Sequence, residues 1–340
     1  MLTLDVLESI ELSAIPWGQI LTAAAVLMPN YHLPWTKTEV IIEGAEKIPD
    51  TPVIYAMNHT DRYNYWPFQY RLWRNYQRYT TTWVKGKYYN NKAVRAFMIK
   101  TNNLAVPSRG YLITADALNV LGKPPADKTY RVIREAINSQ SVNTRALREA
   151  AAAEGVLSEV VTLLDTPRDM LGMRFEPNHQ NYLEAMVELF QRMMERFVEL
   201  NEEAVRLGLD ILVFPEGTRS VRLQEGKPGL AQMALRMKST IVPVGCNGSH
   251  EVYPGDRPFS RGGRVVYRVG DPLRPDEELK EFQIADHFTP FTFEAEEAYG
   301  ETFQPMTELV MDRIEELLDP AHLPSEDGES ESTKGANRFL

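Results

Sequence analysis

The 340-residue chain is 43% hydrophobic and 25% charged, the balance of an ordinary globular protein with room for one large domain or two smaller ones. Its net charge of −10 argues against nucleic-acid binding by general electrostatics. The single cysteine, Cys246, excludes an internal disulfide and a cysteine metal cluster, and reads as a small residue packed near a strand end.

The first ten residues hold Asp5 and Glu8 and no base, unlike the basic start of a secretory signal. No run reaches the roughly 18–20 apolar residues that span a bilayer. The nearest, Ile15 to Met28, is broken by Pro16, Gly18 and Gln19. It reads either as a buried helix or as a helix in a membrane interface, with Trp17 and Tyr31 at its ends. Residues 1–38 are therefore set apart as an N-terminal helical segment.

The β-branched run Val40 to Ile42 predicts a strand, turned at Gly44. Pro52 to Met57 predicts a buried strand that stops at Asn58-His59. Asp61 then suits the N-cap of a helix from Arg62 to about Arg74. Thr82 to Val84 and Asn103 to Pro107 read as strands, and Asn90 to Lys100 as a helix between them. From about 111 to 185 the chain changes character and reads as a largely helical insertion with no motif that carries chemistry. His179, near Glu176, reads there as a surface histidine and not as a metal ligand.

Leu189 to Leu207 has apolar residues at helical spacing, with Gly208 as its stop. Then come the strand Asp210 to Phe214, a polar turn from Pro215 to Ser220, a helix over Leu230 to Met237 and a strand over Thr240 to Val244. Pro243 predicts an edge or a bend in that last strand. Arg264 to Val269 reads as a strand near the sheet edge and Met306 to Leu318 as a late helix. The alternation predicts an α/β fold, a mostly parallel or mixed sheet flanked by helices, over residues 39–320. The acidic stretch 325–340 is too poor in apolar residues to pack and reads as disordered.

His59 ends one apolar strand, where an imidazole can take a proton near neutral pH. Asp61 and Asn64 are the local groups able to orient its ring. Phe214-Pro215-Glu216-Gly217-Thr218-Arg219-Ser220 follows another apolar strand and offers a phosphate-matching guanidinium beside hydroxyl donors. Lys85 and Arg109 lie near two further strand ends.

Asn58-His59, Lys85 with Arg109, Phe214 to Ser220 and Val242-Pro243-Val244 together resemble the glycerol-phosphate and lysophosphatidic acid acyltransferase family, in its order and over roughly 39–269. The resemblance implies that His59 is a general base. It would act on a hydroxyl of a phosphorylated glycerolipid such as lysophosphatidic acid, which attacks the thioester of acyl-CoA or an acyl carrier protein. No metal or bound cofactor is implied. Arg109, Glu216, Gly217, Thr218 and Arg219 would hold the acceptor, with Lys85 at a basic position of the second block. The family's place is the membrane that holds its lipids, here the cytoplasmic face, bound peripherally or monotopically. One departure stands out. The family has aspartate five residues after the histidine, where this chain has Asn64. An amide can orient an imidazole but adds no charge, so a catalytically impaired lipid-binding relative is the competing expectation.

Overall fold

The computed structural model of the chain describes residues 1–140 and 142–325. The expected acidic tail lies, from residue 326, outside the described residues.

Seven strands form one mixed sheet in the order β1-β9-β8-β2-β7-β3-β4. They are β1 (Thr38–Glu43), β2 (Ile54–Met57), β3 (Thr80–Lys85), β4 (Asn103–Val106), β7 (Asp210–Val213), β8 (Ile241–Asn247) and β9 (Gly263–Val269). β8, β2, β7, β3 and β4 run parallel, and β9 meets β8 antiparallel with β1 beside it. A small hairpin, β5 (Arg168–Met170) and β6 (Met173–Phe175), stands apart. Every residue of β2, β7 and β8 is buried, the pattern of parallel strands covered on both faces. The alternation of side chains sends Ile54 and Ala56 toward the helices Gly229–Met237 and Phe293–Glu315. Tyr55 and Met57 go to the opposite face, against Phe68 and Tyr267.

Residues 109–206 supply the helices Arg109–Leu121, Asp127–Asn138, Thr144–Ala153, Leu157–Asp165 and Tyr182–Arg206. They share one apolar core with β4 and with Leu2, Leu4 and Leu7 from the chain start. Inside it, Arg168 makes paired bonds of 2.8 and 2.7 Å to Asp116, whose second oxygen also accepts from Tyr182 Oη. A buried pair satisfied in this way is costly to break from one side, by about 3–5 kcal/mol.

Several expectations are corrected. The helix expected from Arg62 begins at Tyr65 and passes at Leu72 into a π-helical turn. Pro67 sits in its first turn, where its missing N–H has no intrahelical partner to lose. The late helix starts at Phe293, thirteen residues before Met306, capped by Thr292. Pro243 lies on an inner strand. Its carbonyl accepts from Gly270 N–H at 2.9 Å, so the side of β8 that lacks a donor faces the point where β9 has ended. The ladder to β2 therefore loses nothing.

The N-terminal segment is a helix Trp17–Thr22, a π-helical turn Ala23–Leu27 and a helix Met28–His32. Ala23 and Leu27 are buried, while Trp17 and Leu21 are 72% and 68% exposed. Tyr31 is not at an interface: it is buried, and its hydroxyl accepts from Tyr253 Oη. Among the described residues no helix is long and apolar enough to cross a membrane.

Candidate active site

The parallel strands end along one edge of the sheet. Loops leaving β2, β7, β3 and β8 at that edge bring together His59, the 214–220 turn, Lys85 and the 248–256 segment. Functional groups gather at this edge of open α/β sheets because rigid strands deliver the chain into open loops.

Asn58 is the first residue past β2, and its side chain continues the ladder. Its Oδ1 accepts from Cys246 N–H at 2.7 Å and its Nδ2 donates to Cys246 O at 3.0 Å. The backbone at His59 is then clamped from the other side. His59 N–H donates to Glu216 Oε1 at 2.7 Å, and His59 O accepts from Ser220 N–H at 2.9 Å. The two segments thus form one unit although 157 residues separate His59 from Glu216.

The imidazole stacks on Phe214, with ring centroids 3.9 Å apart and planes 14° from parallel. Its Nδ1 lies 3.1 Å from Asn64 Oδ1. The amide cannot be turned round without loss, because Asn64 Nδ2 donates to the carbonyl of Asn58 at 2.8 Å. Oδ1 therefore faces the ring, Nδ1 carries the proton, and Nε2 keeps its lone pair. Asn64 itself is fully buried, and its own carbonyl accepts from Tyr267 Oη at 2.5 Å. Burial is the main force that lowers the His59 pKa, to about 3. The bond to Asn64 opposes this, and the charges of Arg219 and Lys85 add to it. The ring is neutral at physiological pH.

Asp61 does not reach the imidazole. Its Oδ1 accepts from Tyr63 N–H at 2.8 Å and its Oδ2 from Thr60 Oγ1 at 3.0 Å, which closes the turn before the helix. It is neither a replacement charge partner nor a cap of the first helical turn, whose N-cap is Asn64. Burial raises its pKa. The question left by the sequence, whether Asn64 or Asp61 orients His59, is answered in this geometry by Asn64.

Glu216 is also placed differently from the expectation that it meets the acceptor. It is 2% exposed, and both oxygens are taken by backbone, Oε1 by His59 N–H and Oε2 by Gln224 N–H at 2.9 Å. Burial lifts its pKa to about 7 against the pull of those two bonds. Gly217 turns the chain with φ +66°, and its N–H closes a turn onto Phe214 O at 3.0 Å. Thr218 is half-buried at this turn. Arg219 is exposed and lies 3.8 Å from Asp256. Lys85 ends β3.

Arg109 is not among the groups recorded around His59. Its guanidinium lies 3.9 Å from the Phe293 ring centroid and 5.0 Å from that of Phe190, and it pairs with Glu296 at 3.6 Å. It lines a narrow cleft with Leu112, Ile137 and Met186. A shallow open cleft lies between the N-terminal segment and the helix that follows Asn64. Ala23, Leu27, Tyr65, Trp66, Tyr70 and Trp73 line it. Tyr65 meets Phe214 edge-on at 6.1 Å, and Phe214 stacks on the imidazole, so these two rings lie between the cleft and His59.

Phe214, the first residue of the block singled out in the sequence, stacks on the imidazole. One further group was not singled out there. Arg62 joins the mouth beside Arg219, and nothing local distinguished it from a surface charge.

A neutral histidine with a free Nε2, beside a loop of cations at a strand edge, is an arrangement able to take a proton from a hydroxyl. Residues 172–247 match the family model described as Acyltransferase, which takes in β7, the 214–220 turn and β8. No curated protein matches the chain. Among solved structures it is similar to the crystal structure of the 1-acyl-sn-glycerophosphate (LPA) acyltransferase, PlsC, from Thermotoga maritima. The identity is 14%, the TM-score is 0.38, and the alignment covers 89% of this chain and 94% of that chain.

Proposed function

We propose that the protein transfers a fatty acyl group from acyl-CoA or an acyl carrier protein to a hydroxyl of a phosphorylated glycerolipid such as lysophosphatidic acid. The observation that carries this reading is the His59–Asn64–Asn58 chain, which leaves Nε2 as a free base beside Lys85 and Arg219.

The acceptor hydroxyl gives its proton to His59 Nε2 while its oxygen bonds to the thioester carbonyl carbon. The tetrahedral oxyanion collapses, the C–S bond breaks, and the thiolate leaves with the proton from His59. The imidazolium is transient, so a neutral resting histidine suits the role. Asn64 supplies orientation without charge, as in Cys-His-Asn proteases. Arg219 and Lys85 would meet the acceptor's anion, and the Gly217–Thr218 turn would shape the approach. The aromatic cleft beside the N-terminal segment would receive the acyl chain, widening as it enters.

The exposed Trp17, Leu21 and Trp35 (72%, 68% and 72% exposed) support peripheral docking on a lipid surface, in this reading at the cytoplasmic face. Residues 1–38 would then be the docking segment, and residues 39–320 the catalytic domain with its helical insertion.

The test is incubation of the purified protein with a labelled acyl thioester and a panel of phosphorylated acceptors. Product is expected, and His59→Ala is expected to reduce its rate by about 10²–10⁴. Absence of product with every acceptor, or turnover that survives His59→Ala, would overturn the reading.

A further inference from the structure

One polar cluster at the mouth is used neither by the base nor by the turn that holds it. Arg62 pairs with Asp256 Oδ1 at 3.1 Å, and Arg219 approaches the same oxygen at 3.8 Å. Two guanidinium groups from loops far apart in sequence thus converge on one carboxylate. Exposure is uneven: 75% for the Asp256 side chain against 32% for Arg62 and 39% for Arg219. Such an exposed pair contributes only about 0–1 kcal/mol to folding, so the fold does not depend on it.

The carboxylate is nonetheless held in place from behind. Tyr63 Oη donates to Asp256 O at 2.7 Å, which ties the Asp256 backbone to the loop that carries Arg62. Arg62 lies with its Cζ 5.7 Å from the Tyr88 ring centroid, and its Nε is buried with no hydrogen-bond partner. Asp256 brings one negative charge and meets Arg219 only at long range. A phosphate monoester carries a charge of about −1.5 to −2 and three acceptor oxygens. It can engage both planar forks at once, which one carboxylate at these distances does not.

We infer that Arg62 and Arg219 form the clamp for the acceptor's anionic group, and that Asp256 occupies this clamp as an internal stand-in until the acceptor displaces it. The inference adds Arg62 as a specificity-determining residue and makes Asp256 a competitor of substrate. It rests on the proposed acyl transfer only for the identity of the anion as an acceptor; the anion site itself can be tested apart from catalysis.

The experiment is calorimetric titration of the full chain with inorganic phosphate and with glycerol 3-phosphate. It uses the wild type, Asp256→Asn, Arg62→Gln and the double variant, with melting curves to show that each is folded. Asp256→Asn is expected to tighten binding, and Arg62→Gln to weaken it about tenfold, the scale of one lost charge-assisted bond. In the double variant the gain from Asp256→Asn is expected to disappear. In turnover assays Arg62→Gln is expected to raise the KM for the phosphorylated acceptor and leave that for the acyl thioester unchanged. Affinities unchanged by either single variant, or no detectable binding even in Asp256→Asn, would overturn the clamp whether or not the protein turns over. Opposite shifts in the two variants, in a protein that transfers no acyl group, would uphold the clamp and remove acyl transfer instead.

Discussion

Asn64→Asp restores the residue that the acyltransferase family has at this position, and the structure predicts that it harms this protein. The amide uses both ends. Its oxygen faces His59 Nδ1 at 3.1 Å and its nitrogen donates to Asn58 O at 2.8 Å. A carboxylate in the same place sets an oxygen against the Asn58 carbonyl oxygen. Losing that buried bond and leaving the carbonyl unpaired costs about 1–3 kcal/mol. A net charge at a fully buried position adds to this. At roughly 2–4 °C per kcal/mol the melting temperature should fall by about 5–10 °C.

The charge also acts on His59. A carboxylate about 3 Å from the ring favours the imidazolium by roughly 5 kcal/mol at an effective dielectric constant of about 20. This is about three to four pK units. The His59 pKa therefore moves up from about 3 toward neutrality. With the neutral ring as the proposed base, the wild type should show no His59 limb between about pH 5 and 8. The variant should gain an acid limb there, with activity lost as pH falls. Thermal melts and kcat/KM against pH measure both effects. A variant with unchanged melting temperature and an equally flat profile would refute the placement of Asn64 between His59 and Asn58.

Three further changes probe the surrounding parts. Gly217→Ala should cost about 1–2 kcal/mol, because φ is +66° and the nearest atom to an added Cβ, Lys227 Cγ, is 3.9 Å away, so backbone strain is the only penalty. A melt that shows no loss would mean that the turn relaxes. Glu216→Gln must place an NH2 against either His59 N–H or Gln224 N–H, and should destabilise by about 1–3 kcal/mol while lowering kcat more than it raises either KM. Glu216 is an acid whose pKa rises from 4.5 to about 7 on folding, so the stability it contributes is full below 4.5 and is lost as pH rises toward 7. Stability of the Gln variant measured across that window should lose this slope. Ala23→Phe should block the aromatic cleft and shift preference to shorter acyl chains; an unchanged chain-length profile would place the acyl chain elsewhere.

The sheet was legible in the sequence where local composition determines structure. The apolar runs that become β2 and β7 are buried on both faces, and no long-range information is needed to see that. The late helix was underestimated because Glu294, Glu296, Glu297 and Gly300 hide its periodicity, while the cap at Thr292 and burial of Phe303 establish it. At the site, residue identity alone marked His59 and the Phe214 to Ser220 turn. It could not rank Asn64 against Asp61. That choice depends on where the Asn58 carbonyl points and on Tyr63 N–H taking Asp61. The partnership of Arg62 with Asp256 spans 194 positions and has no local signature.

Glu216 shows most clearly how the structure changes the chemistry read from the sequence. As a free carboxylate in a cationic loop it would repel a phosphorylated acceptor or bind its hydroxyl. With both oxygens on backbone amides it does neither, and instead fixes the segment that carries His59. Ser220 N–H on His59 O completes the clamp, so a shift of the 214–220 turn must also shift the imidazole. The imidazole and the 214–220 turn then move as one body. In the proposed reaction, that body would set the distance between the hydroxyl to be deprotonated and the anionic group of the same acceptor, and not two loops that must find each other on every turnover.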